Sequence, residues 1–274
     1  MHWPPAWYSC ATSTAAAHYP SLRSKALRIY NLGLTRSDRQ PTHLLQTPDT
    51  FVGIPLPGFG SVTVIVHAAP AIGAAFTQYT AEFEPGGSLG PAHGQRFLYV
   101  LEGAVSVVAG GKTQQLIPGG FAHLPANQPH TVKASTRSRA AVIEKPAISL
   151  LSEAPEPAIF GSEEAVASQP LGGDDALQVK QLLPTTPGLD YAVNTMTYQP
   201  GAALAQVEIH VMEHGLLMLQ GGGIYRLGNS WYPVQTGDFI WMAPYCPQWF
   251  GALGKTPAKY LIYKDWNRHP LPGR

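Results

Sequence analysis

The segment from Glu208 to Gly215, EIHVMEHG, contains four side chains that can bind a divalent metal ion. Read as a helix, it matches the H-x-x-E-H zinc motif, because His210 and His214 lie four residues apart and share one helical face. Read as a strand, it places Glu208 and His210 on one face, because side chains two residues apart point in the same direction. Judged locally, the sequence is compatible with either metal site.

The strand interpretation requires a bend between His210 and His214. Four residues of straight strand span roughly 13 Å, at about 3.3 Å per residue. A metal ion with bonds of about 2.1 Å cannot be reached by both imidazole rings across that distance. We therefore expect the chain to turn between the two histidines. Glu213 would take part only in the helical motif, and in the strand interpretation it is expected to be a solvated surface charge.

The composition favours an all-β protein. Of the 274 residues, 45% are hydrophobic and only 13% are charged, and the 28 glycines and 26 prolines indicate frequent turns. Short runs rich in Val, Thr, Phe and Tyr, such as SVTVIVHAAP and DFIWMAP, end at proline or glycine, as strands commonly do.

Charge and cysteine content argue against several classes of partner. The formal net charge is +1 and no basic run is present, so we expect no nucleic acid partner. Cys10 and Cys246 are far apart, which argues against a disulfide framework and fits a reducing compartment, with Cys246 predicted to be a buried thiol. No apolar run is long enough to span a membrane, and the N-terminus lacks the basic start and apolar core of a secretion signal. These features predict a cytoplasmic protein.

Two halves of the chain repeat at a constant offset. Alignment of RFLYVLEG, from Arg96, with HGLLMLQG, from His214, brings glycines onto glycines without gaps and places His130 on Gln248. Backbone geometry demands glycine at hairpin turns, so the aligned glycines indicate two copies of one antiparallel β unit. The aligned pairs are Gly103 with Gly221, Gly110 with Gly228, and Gly119 with Gly237.

The repeat favours the strand over the helix for the metal-capable segment. Its N-terminal counterpart, GPAHGQRFLYVLEGAVSVV, is rich in strand-forming residues and is interrupted by glycine. In the C-terminal half, Gly215 and the glycines at 221–223 would also shorten any helix. We therefore predict a bent β segment at 208–214.

These residues resemble the two motifs of the cupin superfamily, G-x5-H-x-H-x3-4-E-x6-G and G-x5-P-x-G-x2-H-x3-N. Glu208 and His210 take the two histidine places of the first motif, and His214 takes its glutamate place. Gln248 stands eleven residues after Gly237, where the second motif has its histidine. The resemblance implies an all-β bicupin, made of two tandem jelly-roll barrels.

The permuted donor set is similar to that of the (S)-ureidoglycine aminohydrolase family, whose members are bicupins. The resemblance covers nearly all of residues 34–271. It implies one Mn²⁺ ion per chain in the C-terminal cupin, a set of ligands and a set of substrate contacts. The implied ligands are Glu208, His210, His214 and Gln248, and the implied substrate contacts are Glu208, Tyr225, Gln248, Tyr260 and Lys264. A mixed carboxylate, amide and imidazole set is chemically suited to manganese.

The implied reaction is Mn-dependent hydrolysis of a C–N bond, from (S)-ureidoglycine and water to (S)-ureidoglycolate and ammonia, in allantoin and purine catabolism. By this resemblance the chain is an amidine-type hydrolase, and Glu208, Tyr260 and Lys264 are its catalytic residues. Tyr260 and Lys264 share strand parity, so both could face the barrel interior. Lys264 would neutralise the substrate carboxylate or carry a proton to the departing amine. Tyr225 follows the glycine-rich hairpin and could close the mouth of the site.

The N-terminal cupin departs from the metal pattern. Gly90, Ala92 and Arg96 occupy the three places of the first motif, and His130 alone survives. We expect this half to be structural and to support the other half or a homo-oligomer interface. The predicted domains are a tail (1–28), a cupin without a metal set (29–150), a linker (151–175) and a catalytic cupin (176–274).

Two other classes of function remain open at this point. Metal cupin dioxygenases and sugar isomerases usually carry three histidines and one glutamate, so Gln248 argues against them. Non-enzymatic bicupin binding proteins commonly lose the metal set in both halves, whereas one half keeps a full set here. Iron content and oxygen uptake would identify a dioxygenase.

Overall fold

The computed structural model describes residues 34–92, 94–126, 128–148 and 156–266. Within them the chain consists of β-strands joined by turns and by short 3-10 helices at Pro48–Thr50, Pro70–Ile72 and Glu163–Ala165. The predicted all-β bicupin is confirmed. The predicted tail at 1–28 lies outside the described residues, and none of the described helices is long and apolar enough to cross a membrane.

The strands are numbered in chain order. The first twelve are β1 (Asp38–Gln40), β2 (His43–Gln46), β3 (Gly53–Ile54), β4 (Gly60–Ala68), β5 (Thr77–Ser88), β6 (Gln95–Glu102), β7 (Val105–Ala109), β8 (Lys112–Leu116), β9 (Gly120–Leu124), β10 (His130–Lys133), β11 (Ser138–Lys145) and β12 (Ile159–Ser162). The others are β13 (Ser168–Leu171), β14 (Asp174–Gln181), β15 (Tyr191–Tyr198), β16 (His214–Gln220), β17 (Gly222–Leu227), β18 (Ser230–Gln235), β19 (Phe239–Met242), β20 (Gln248–Ala252) and β21 (Ala258–Asp265).

The strands pair into one antiparallel sheet system per half. The N-terminal sheet has the order β12-β9-β6-β11-β5-β10-β7-β8, with β4 paired to β5 and β3 to β4. The C-terminal half combines a sheet of order β1-β2-β19-β16-β21-β15-β14-β13 with a three-stranded sheet of order β18-β17-β20. The side chains facing into each half form a separate buried apolar core.

Each half receives strands from outside its own stretch of sequence. Strand β2 pairs with β19, with Leu45 opposite Ile240, so the start of the described chain extends the C-terminal sheet. Strand β12 pairs with β9 of the N-terminal sheet, with Phe160 opposite Ala122. The described part of the segment predicted as a linker therefore carries strands β12 and β13 and a 3-10 helix, which hold the two halves together.

A third apolar core lies between the two halves. Phe76, immediately before β5, packs against Tyr263 of β21 with ring centroids 4.2 Å apart, and both side chains are buried. Strand alternation makes this possible, because the face of β21 that carries Tyr263 is opposite to the face that lines the C-terminal barrel. The back of the C-terminal sheet is thus covered by the N-terminal half.

The glycines that align the two repeats occupy left-handed backbone conformations. All six have positive φ, from 57° at Gly110 to 91° at Gly237. A Cβ atom at Gly221 would also lie 2.6 Å from the Pro257 carbonyl oxygen, so that turn excludes any side chain. The repeat was therefore correctly found from positions that the backbone reserves for glycine.

Candidate active site in the C-terminal barrel

The metal-capable segment is extended and bent, as the strand interpretation predicts. Glu208 forms an isolated antiparallel bridge with Gln248, whose backbone N–H donates to the Glu208 carbonyl at 2.9 Å and whose carbonyl accepts at 2.8 Å. The chain then bends at residues 211–212, and β16 begins at His214. The helical zinc motif is excluded, because residues 208–214 contain no helical turn.

All seven predicted site residues line one cavity of about 150 Å³ inside the C-terminal barrel. Four strands of both sheets supply five of them, and the bent segment supplies the other two. The seven are Glu208 and His210 from the segment, His214 from β16, Tyr225 from β17, Gln248 from β20, and Tyr260 and Lys264 from β21. Strand register explains the convergence on one wall, since His214 pairs with Lys264 and Met218 with Tyr260.

The two histidines and the glutamate form a close group. His210 Nε2 lies 3.0 Å from Glu208 Oε2, and the rings of His210 and His214 meet edge to face with centroids 5.5 Å apart. Neither ring nitrogen of the buried His214 makes a hydrogen bond of ordinary geometry to the described residues. Burial, reinforced by the neighbouring His210 and Lys264, lowers the pKa of His214 to about 3, although the Tyr263 backbone carbonyl opposes this shift. His214 is therefore a neutral imidazole at physiological pH.

The donor set fits a hard divalent cation. The Tyr263 carbonyl can serve only one ring nitrogen of His214, so the other is buried without a hydrogen-bond partner among the described residues. A metal bond would remove the cost of burying it. The carboxylate of Glu208, the imidazole of His210 and the amide of Gln248 line the same cavity and add oxygen and nitrogen donors. Among the described residues no three His, Cys, Asp or Glu side chains are already close enough together to hold a metal ion.

Gln248 is held by Tyr225. The Tyr225 hydroxyl donates to Gln248 Oε1 at 3.1 Å, and both side chains are buried. The prediction that Tyr225 could close the mouth of the site is wrong: its ring is 1% exposed and packs on Phe250 within the barrel core. Strand β17 alternates inward at this position, so the tyrosine faces the barrel interior.

Lys264 and Tyr260 both face the cavity, as their shared parity predicts. Burial lowers the pKa of Lys264, and the negative charge of Glu208 partly offsets this shift. The Tyr260 hydroxyl lies 2.8 Å from that of Tyr198, and burial raises the pKa of Tyr260 well above its ordinary value. The cavity thus combines an ammonium group that releases its proton readily with phenols that stay protonated.

Sequence reasoning missed two polar residues of this site. Tyr198, the partner of Tyr260, and Asn194 both lie on β15, which the sequence identified only as a strand. Asn194 lines the cavity, is buried, and has a carbonyl oxygen without a hydrogen-bond partner among the described residues. Their equal parity along β15 was the available signal, since it places both on the inward face.

The N-terminal barrel has a cation of its own at the corresponding place. Arg96 is 1% exposed and donates to Glu144 Oε1 at 2.8 Å and to the Gly90 carbonyl at 2.8 Å. His130 Nε2 lies 3.1 Å from its guanidinium. The position that holds His214 in the second repeat is filled here by a paired guanidinium.

Comparison with known proteins agrees with the two cupin repeats. The cupin domain model matches residues 79–144 and again residues 194–263. A probable (S)-ureidoglycine aminohydrolase of Oryza sativa subsp. japonica is 39% identical over 98% of this chain and 84% of its own length. The (S)-ureidoglycine aminohydrolase of Arabidopsis thaliana is 40% identical over 87% of this chain and 80% of its own length. The crystal structure of a putative glyoxylate-induced protein from Pseudomonas aeruginosa superposes with a TM-score of 0.79 at 28% identity, covering 86% of this chain and 92% of that one.

Proposed function

The chain belongs to the (S)-ureidoglycine aminohydrolase family of two-domain cupins, and from that premise we propose that it hydrolyses (S)-ureidoglycine to (S)-ureidoglycolate and ammonia. One observation supports a specific location for the reaction. The cavity of the C-terminal barrel gathers Glu208, His210, His214, Gln248 and Lys264 together with two buried tyrosines. Its volume, about 150 Å³, suits a substrate of this small size.

The proposed cofactor is one Mn²⁺ ion per chain, held by Glu208, His210, His214 and Gln248. When bound, such an ion supplies Lewis-acid polarisation and fixes the orientation of the substrate. The support is chemical: two imidazole nitrogens, a carboxylate and an amide oxygen form a mixed set without thiolate. His214 contributes without a proton to displace, because burial already lowers its pKa to about 3.

The remaining side chains have roles that follow from charge and position. Lys264 matches the carboxylate of the substrate and, because its pKa is lowered, can pass a proton to the departing nitrogen. Tyr260 keeps its proton, since its pKa is raised, and donates a hydrogen bond into the cavity. The carboxylate of Glu208 can accept a hydrogen bond from the substrate amine. Overall, water gives its hydroxyl group to the carbon that bears the amine and its remaining proton to the amine nitrogen, and the broken C–N bond leaves its electron pair on ammonia.

Ammonia release from freshly synthesised ureidoglycine tests the proposal. We expect release by the Mn-loaded protein, loss after chelator treatment and dialysis, and recovery when Mn²⁺ is restored. Lys264→Met should lower kcat/KM by at least about 100-fold, at the lower end of losses for a proton-transfer group. The matched control is Lys255→Met, since Lys255 is exposed and outside the cavity. Full activity in chelated protein, or equal activity of the two variants, would contradict the assignment.

The proposal includes the setting of the reaction. We propose that the reaction belongs to allantoin and purine catabolism and that the protein is a cytoplasmic homo-oligomer. Size-exclusion chromatography with light scattering tests the oligomer, and a single species at the monomer mass of 29.4 kDa would contradict it.

A further inference from the structure

Glu213 is a buried carboxylate beside the proposed metal site. The prediction that it is a solvated surface charge is wrong, since its residue is 1% exposed. The bend at residues 211–212 turns it away from the cavity and toward the N-terminal half. Removing a carboxylate from water costs several kcal/mol unless hydrogen bonds compensate for its lost hydration. The hydrogen bonds of Glu213 must therefore compensate for its lost hydration.

Glu213 binds the other half of the molecule. The backbone N–H of Ala75 donates to both of its carboxylate oxygens, at 3.0 and 3.2 Å. Ala75 lies between the 3-10 helix at Pro70–Ile72 and strand β5, in the first repeat. The indole N–H of Trp241 donates to Oε2 at 3.2 Å from strand β19 of the second repeat. Bonds to an ionised acceptor are stronger than those to a neutral one, so this group joins the two halves firmly.

The same corner is tied to the strand that carries Lys264. The backbone N–H of Glu213 donates to Asp265 Oδ1 at 2.6 Å, and Asp265 is 2% exposed. Glu213 precedes His214 and Asp265 follows Lys264, and His214 and Lys264 are directly opposite in the β16–β21 register. The two carboxylates thus fix the backbone on either side of a cavity-lining pair.

The N-terminal half closely covers this face of the C-terminal sheet. A Cβ atom added at Gly215 would lie 2.2 Å from Gln78 Oε1 and 2.7 Å from the Phe76 ring. The backbone that carries His214 is therefore pressed against β5 without room for a side chain. The position of His214 therefore depends on this contact.

We propose that Glu213 is a positioning residue through which the metal-free N-terminal barrel holds the His210–His214 corner in the geometry that binds the metal ion. The inference rests on the proposed function for the identity of the site, and it assigns a task to the barrel that has lost the ligand set. Glu213 does not line the cavity, and it acts through the backbone of its neighbour His214.

Glu213→Gln tests this assignment, because it preserves the size of the side chain and removes its charge and one strong acceptor. We expect the dissociation constant for Mn²⁺ to rise at least about tenfold, at the low end of losses for groups that orient metal ligands. The electron paramagnetic resonance spectrum of bound Mn²⁺ should change as well. Glu164→Gln is the matched control, since Glu164 is exposed and should leave both readouts unchanged.

Trp241→Phe extends the test if Glu213→Gln does not fold. It removes one donor to the carboxylate but keeps an aromatic ring, and it should weaken Mn²⁺ binding in the same direction by a smaller factor. Folded variants with wild-type Mn²⁺ affinity and an unchanged spectrum would overturn the inference, even if their melting temperatures fall. Failure of the proposed function gives a different result, in which the wild-type protein releases no ammonia while the comparison of Mn²⁺ affinities still stands.

Discussion

The burial of His67 predicts that the free energy of unfolding falls in acid. The ring is 4% exposed, lies 2.8 Å from both Thr80 Oγ1 and Gln46 Oε1, and stacks on Phe239 with centroids 4.9 Å apart. Burial, reinforced by the positive charge of Arg139, lowers its pKa from 6.5 to about 3. The folded protein therefore holds His67 neutral at pH values where the unfolded chain protonates it.

The size of the effect follows from the two pKa values. Because the folded pKa is the lower one, His67 contributes stability that is fully present above pH 6.5 and is lost as the pH falls towards 3. At about pH 5 the protonated ring exceeds the neutral ring roughly 30-fold in the unfolded chain but is about one part in 100 in the folded one. The free energy of unfolding should fall by about 2 kcal/mol from this residue between about pH 7.5 and pH 5.

Urea unfolding of the wild type and His67→Gln at both pH values measures this contribution. The variant has its own stability cost, but that cost cancels when each protein is compared with itself at the two pH values. We expect the wild type to lose about 2 kcal/mol more than the variant on acidification. Equal losses in the two proteins would refute the argument that His67 is buried in its neutral form.

Two further perturbations test the two barrels separately. Arg96→Met should lower the free energy of unfolding by about 3 kcal/mol, because Glu144, whose side chain is only 15% exposed, loses its buried cation, while Mn²⁺ content stays unchanged. A loss below about 1 kcal/mol in urea unfolding would show that the pair contributes little. Tyr225→Phe should cost about 1–2 kcal/mol, because Gln248 Oε1 is buried and loses its donor, and it should raise KM for ureidoglycine. An unchanged unfolding midpoint together with an unchanged KM would remove Tyr225 from the site.

The site could be located from sequence because its strongest signals are local and repeated. Glu208, His210 and His214 lie within one short segment. The glycine repeat predicted that Gln248, 34 positions after His214, belongs with them. The inward direction of Tyr260 and Lys264 followed from strand parity. Each of these predictions needs only the period of a strand or the conformation of a turn.

Other features depend on which surfaces meet in the folded chain. Glu213 is adjacent to His214 in sequence, yet its burial is decided by Ala75, 138 residues away. Tyr198 belongs to the site because its hydroxyl contacts that of Tyr260, 62 residues further along the chain. No local pattern distinguishes such residues from ordinary strand positions, since the partner is supplied by another part of the sheet.

The sequence by itself determined the all-β class, the two repeats, the bent segment and the chemical types of the proposed ligands. It could do so because glycine conformation and side-chain alternation are properties of the backbone over a few residues. Only the tertiary structure decided that β1 and β2 complete the second sheet, that β12 completes the first, and that a buried carboxylate joins the two barrels at the site. These strand pairings and this buried carboxylate depend on contacts between segments far apart in sequence, because the folded structure determines which groups are buried and which are hydrogen-bonded.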